Sequence, residues 1–188
     1  MDFNEDIEKA LDVLRRGGLI LYPTDTIWGI GCDATNREAV ERIYELKKRP
    51  GTKSMIVLLA DEKDLFKYVS SPEPEIVDYI SSAAKPVSII FQGVLGLAEN
   101  LYAPDGSAAI RVVKEDFCRH LIRRFKKPVV STSANKSGEE SPGCFSEIGE
   151  EIKSGVDYIV HYRRTDESRS APSSVIKYNR GEITVIRE

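Results

Sequence analysis

Cysteine and histidine are scarce in this 188-residue chain, which has three of the first and two of the second. Cys32, Cys118 and Cys144 are odd in number and widely spaced, which argues against a disulfide framework and against zinc-ligand spacing. With only His120 and His161, no histidine-based metal site is expected. Long apolar runs are also missing, so no stretch reads as a membrane span and no membrane partner is expected. The N-terminal residues 1–6, Met-Asp-Phe-Asn-Glu-Asp, are acidic and lack the basic-then-apolar order of a secretion signal. A cytoplasmic location is the expectation. An excess of positive charge is absent as well: the net charge is −3, so the molecule as a whole does not attract nucleic acid.

Two familiar nucleotide signatures are not there. No glycine-rich segment ends in Gly-Lys-Ser/Thr, which removes the Walker loop. Gly29 and Gly31 lack the third glycine of a dinucleotide fingerprint.

What the chain does have is alternation. Apolar residues Ile7, Ala10, Leu11 and Leu14 recur at helical spacing, and Gly17-Gly18 supply a stop. Residues 19–22 read as a short buried strand. Thr35 and Glu38 have capping-box spacing ahead of the apolar face Ala39, Val40, Ile43, Tyr44 and Leu46, and Pro50 ends that helix. Strands are expected at 55–60, 87–91, 108–113, 129–132 and near 158–160. Helices are expected at 75–84, 116–125 and 145–153, with Asp61 capping a short one through Tyr68. Residues 92–106 and 162–172 read as loop. The end reads as a hairpin: residues 174–178, the turn Asn179-Arg180-Gly181, and residues 183–186. Strands and helices alternating over 188 residues predict one α/β domain covering residues 1–188. The terminal hairpin makes its large twisted sheet mixed, with helices flanking it.

Four segments could carry chemistry. In Tyr22-Pro23-Thr24-Asp25-Thr26-Ile27-Trp28-Gly29-Ile30-Gly31, a strand end presents side-chain oxygens, and Gly29 and Gly31 allow tight backbone geometry; it is either a capped turn or a binding loop. In Lys47-Lys48-Arg49-Pro50-Gly51-Thr52-Lys53, cations gather at a helix C-terminus. There they either answer the helix dipole or clamp phosphate and carboxylate, Arg as a planar fork and Lys as a point charge. Arg111 sits inside an apolar strand, where it needs a structural partner or a ligand. In Ser131-Thr132-Ser133-Ala134-Asn135-Lys136-Ser137-Gly138, a strand ends in hydroxyls and a carboxamide. No His or Asp stands near in sequence to make Ser133 a nucleophile, so hydrogen bonding to phosphates suits it better. Further basic clusters at Arg123-Arg124, Lys126-Lys127 and Arg163-Arg164 are solvated ends or parts of a phosphate groove.

The order Pro-Thr-Asp-Thr, Lys-x-Arg, strand arginine, Ser-Thr-Ser-Ala-Asn-x-Ser-Gly resembles the YrdC-like family of threonylcarbamoyl-AMP synthases, in its short bacterial single-domain form. The resemblance runs from Leu19 to Arg187. It implies a concave basic cavity and a reaction in which ATP, L-threonine and bicarbonate give threonylcarbamoyl-AMP and pyrophosphate. Mg²⁺ would arrive on ATP, with no metal site of the protein's own. The product would pass to a downstream threonylcarbamoyl transferase system that modifies the adenosine beside the anticodon in tRNA; direct tRNA contact is left open. The family's tetrad falls on Lys47, Arg49, Ser133 and Asn135 as catalytic residues. Thr26, Lys53, Arg111, Ser131, Ser173 and Arg187 become substrate-binding candidates, with Thr26 assigned to threonine. The alternative is a non-catalytic protein that holds tRNA or double-stranded RNA in the same basic cavity.

Overall fold

The computed structural model describes residues 3–51, 54–179 and 182–187. Its strands form one mixed sheet in the order β7-β1-β2-β6-β3-β5-β4-β8-β9. The strands are β1 (Ile20–Tyr22), β2 (Gly29–Gly31), β3 (Ile56–Leu59), β4 (Val87–Phe91), β5 (Ala108–Val112), β6 (Val129–Ser133), β7 (Tyr158–Ile159), β8 (Ser174–Asn179) and β9 (Glu182–Arg187). Three pairings are parallel, β1 with β7, β3 with β5 and β4 with β8; the rest are antiparallel. The helices are α1 (Asn4–Arg15), α2 (Arg37–Lys47), α3 (Leu65–Tyr68), α4 (Pro74–Ser82), α5 (Asp116–Phe125) and α6 (Glu150–Ser154).

Strand alternation sorts the core into two layers. Ile20, Tyr22, Leu58 and Val129 pack with α1 and α5, while Leu19, Leu21, Val57 and Val130 pack with α2. Successive strand side chains point to opposite faces, so a sheet covered on both sides needs near-continuous apolar strands. α5 buries Phe117, Cys118, Leu121, Ile122 and Phe125 on one face; each large side chain contributes about 1.5–3 kcal/mol. A third apolar cluster gathers α3, α4, β4 and β5.

The expected elements are present, with four differences. Residues 29–31, expected as part of a polar turn, form β2. Its glycines leave room rather than bend the chain: a Cβ on Gly31 would lie 2.7 Å from the Val130 carbonyl oxygen and 2.6 Å from the Tyr22 ring. Asn36, not Thr35, caps α2, accepting from the Glu38 and Ala39 amides. Thr35 is already committed, since its amide and hydroxyl both donate to Asp33 Oδ1. Asp61 caps nothing through its side chain; it accepts from Arg119 and Arg123 of α5. The helix expected over residues 145–153 is a 3₁₀ turn at Phe145–Glu147 followed by α6. β8 and β9 form the expected hairpin, whose turn residues Arg180 and Gly181 lie outside the described residues.

Candidate active site

β2 joins the two hydroxyl-rich segments. It is antiparallel to β1 on one side and to β6 on the other, with Gly29 opposite Ser133. The loop of residues 23–28 and the end of β6 therefore open on the same place. A cavity of about 350 Å³ lies there, bounded also by β3, β4, β5 and the hairpin strands. Its lining includes Arg49, Arg111 and Arg187, and no carboxylate among the described residues. Thr26, Ser131, Ser133 and Ser173 line it too. A Cβ on Gly29 would come 2.9 Å from the Ser131 hydroxyl, so this glycine keeps β2 close to the oxygens of β6.

Thr26 has a defined polarity. Thr24 has one hydroxyl hydrogen, which goes to the Ile27 carbonyl at 2.8 Å. The 2.9 Å contact between the Thr24 and Thr26 hydroxyls therefore has Thr26 as its donor. Thr24 also accepts from the Thr26 amide at 3.1 Å. Toward the cavity the Thr26 oxygen thus offers lone pairs and suits an N–H donor.

Arg49 follows the end of α2, where Lys48 adopts the left-handed cap conformation. Its Nη2 donates to the Ser54 carbonyl at 2.8 Å, and burial lowers its pKa. Arg111, on β5, keeps 3% of its side-chain exposure and pairs with Asp25 at 3.2 Å. The pairing is incomplete: Asp25 Oδ1 and Arg111 Nε are buried without a hydrogen-bond partner. Ser173 shares a hydrogen with Ser88 at 2.9 Å, and its carbonyl accepts from Arg187 Nη2 at 2.8 Å.

Lys47 and Asn135 are placed differently from Arg49 and Ser133. The Lys47 side chain is buried, and its Nζ donates to the carbonyls of Ser133 and Asn135. Burial, and next the nearby Arg49 charge, push its pKa down to about 7. The Asn135 carboxamide donates to the Lys136 and Glu139 carbonyls at 3.0 and 2.8 Å, leaving its buried Oδ1 without a partner. These two residues fasten the turn that carries Ser133 and are not part of the cavity lining. Lys53 lies outside the described residues. Three polar lining residues escaped the sequence reading, Ser54, Ser107 and Ser141. Ser107 had a signal in Asp105-Gly106-Ser107, a turn in which its amide and hydroxyl donate to Asp105 Oδ1. Trp28, beside Thr26, packs on Phe145 with ring centroids 4.8 Å apart and forms part of the cavity wall.

The class these features define is an α/β domain with arginines and hydroxyls converging on one anion-receptive cavity. The chain belongs to the Sua5/YciO/YrdC family, described as telomere recombination, whose model matches residues 12–188. It is 31% identical over 163 residues to the threonylcarbamoyl-AMP synthase of Pseudoalteromonas translucida, covering 85% of this chain and 87% of that one. It is 32% identical over 190 residues to the putative threonylcarbamoyl-AMP synthase of Methanocaldococcus jannaschii, covering 98% and 87%. Among solved structures, E. coli YciO superposes with a TM-score of 0.81 at 24% identity, covering 98% of this chain and 89% of YciO. P. abyssi Sua5 complexed with L-threonine superposes with a TM-score of 0.86 at 22% identity. That match covers 97% of this chain and 54% of Sua5, so the chain spans about half of that protein's length. These superpositions establish the fold.

Proposed function

We propose that this protein is a threonylcarbamoyl-AMP synthase and, in reaction type, a nucleotidyltransferase. The observation that carries the reading is the register of β2 against β6, Gly29 opposite Ser133, which opens both hydroxyl segments onto the arginine-lined cavity. The names of the 31–32% identical relatives supply the reaction.

Threonine's amine takes up bicarbonate carbon to form a carbamate, with loss of water. A carbamate oxygen then forms a bond to the α-phosphorus of ATP as the bond to the β-phosphate oxygen breaks and pyrophosphate leaves. Such a displacement needs alignment and charge neutralisation more than a covalent nucleophile. Arg49 and Arg187 suit phosphate oxygens, Arg187 with the Ser173 corner behind it, and Ser131 and Ser133 supply hydroxyl donors. Arg111 suits the threonine carboxylate, and Thr26, an acceptor toward the cavity, suits its amine. Lys47 and Asn135 are positioning residues in this reading: they hold the Ser133 turn, and Lys47 adds a nearby charge. Lys53, by its charge, is a further candidate for phosphate. Mg²⁺ enters with the triphosphate as part of the substrate. The product's consumer is a transferase system acting on tRNA, and the reaction is placed in the cytoplasm. Among the described residues no helix is long and apolar enough to cross a membrane.

The test is pyrophosphate release from ATP and bicarbonate, with and without L-threonine. Release that depends on threonine is expected. Release that ignores threonine, or none across a range of Mg²⁺ and pH, removes the assignment.

A further inference from the structure

β3 and β6 run antiparallel, with Ile56 opposite Ser131 and Leu58 opposite Val129. The cavity described above takes Ile56 and Ser131 at one end of this pair. The other end, at Leu59 and Pro128, opens on a second recess of about 340 Å³. Lys63, Lys67, Arg123, Lys126 and Lys127 line it, against two carboxylates, Asp61 and Asp64. A chain of net charge −3 thus concentrates an excess of three cations in one concave place, where low-dielectric walls focus the field. The carboxylates are engaged: Asp61 takes Arg119 and Arg123, and Asp64 takes Lys67. The two arginines hold Asp61 ionised, with its pKa down at about 2. Lys127 reaches away to Asp33 at 2.6 Å. Neither Lys63 nor Lys126 has a carboxylate partner among the described residues. Lys126 sits just past α5 at φ 62°, a conformation that glycine or asparagine adopts more easily. The cations at this end of α5 also outweigh the negative end of the helix. The floor is apolar, from Leu59, Ile122 and Pro128.

We propose that this recess is a second anion site, which binds phosphate groups. They come either from a free polyphosphate compound or from the sugar-phosphate backbone of RNA. The site is separate from the cavity in which the reaction is placed and does not depend on that assignment.

The test is methyl NMR of the full chain, with inorganic pyrophosphate and a twelve-nucleotide single-stranded RNA as probes. Methyls of Leu59 and Ile122 report on the recess; those of Ile56 and Ile90 report on the cavity. Saturable shifts at Leu59 and Ile122 are expected. They should weaken about tenfold in Lys63→Gln/Lys126→Asn, in which asparagine tolerates the left-handed position and both charges are gone. Shifts with pyrophosphate alone assign the site to free phosphates. Shifts with RNA alone assign it to the backbone, and the salt slope should then fall by about 1.4 for the two lost contacts. Movement confined to Ile56 and Ile90, no movement at all, or Ile122 shifts unchanged in the double variant would overturn the proposal.

Discussion

Asp6 and Asp25 each keep 9% of their side-chain exposure, and their surroundings could hardly differ more. Asp6, in α1, accepts from the Tyr158 hydroxyl at 2.6 Å and from the His161 and Tyr162 amides at 2.9 and 2.8 Å. Burial works to raise its pKa, but these bonds outweigh it, and the pKa is lowered. Asp25 receives the Lys114 amide at 3.3 Å on one oxygen. Its other oxygen faces Arg111 without a hydrogen bond. A saturated buried carboxylate is a fastener, here between α1 and the segment after β7. An undersatisfied buried pair is costly to keep unless something else uses it. The Arg111 guanidinium beside Asp25 borders the cavity, so that use is at the proposed reaction site.

The largest effect is expected at Arg111. Arg111→Met leaves Asp25 buried and uncompensated and should cost about 3–5 kcal/mol in a denaturant titration. Adding Asp25→Asn should recover most of that stability and none of the threonine-dependent turnover. Recovery of both would make the pair purely structural.

Lys47→Ala comes next. It removes the donor held by two carbonyls of the Ser133 turn, and turnover should fall about a hundredfold. With the Lys47 pKa near 7, the ammonium is present below that pH and is lost as pH rises through it. The profile of kcat/KM for ATP should therefore fall on its alkaline side with an apparent pKa of about 7. This limb should be absent in Lys47→Arg.

Asp6→Asn tests the other member of the comparison. It should destabilise the fold by about 1.5–3 kcal/mol while turnover per folded molecule is unchanged. Because the folded pKa of Asp6 lies below its ordinary value of 3.8, its stabilisation is present above that value. It is lost as pH falls through the lower folded value. Acid unfolding of Asp6→Asn should be correspondingly less steep than that of the parent chain.

The smallest effect is expected at Thr24. Thr24→Val frees the Thr26 hydroxyl to reorient and should raise KM for threonine about tenfold with kcat nearly unchanged. Thr24→Ser should restore the parent value. Equal KM in all three would show that the hydroxyl pair does not set the polarity of the site.

Most of the fold was legible because apolar runs on both faces of a covered sheet leave a strong pattern. β2 was not, since Gly-Ile-Gly carries no alternation and earns its place through the Tyr22 ring and the Val130 carbonyl, both distant in sequence. The Asn36 cap was hidden by Thr35, whose competing bonds to Asp33 no spacing rule registers. At the site, residue type singled out Thr26, Arg49, Arg111, Ser131, Ser133, Ser173 and Arg187, which line one cavity, and Lys47 and Asn135, whose side chains turn to backbone carbonyls beside it. Residue type announced a cation and a carboxamide, but whether each turns to a ligand or to a neighbouring carbonyl depends on the fold.

The chain has a single tryptophan, and Trp28 stands in the wall of the cavity against Phe145. Nature has thereby supplied a reporter dye at the one place where it is most useful. Whatever enters the cavity changes the polarity around that indole, and with no competing tryptophan the emission of the unlabelled protein becomes a direct binding signal.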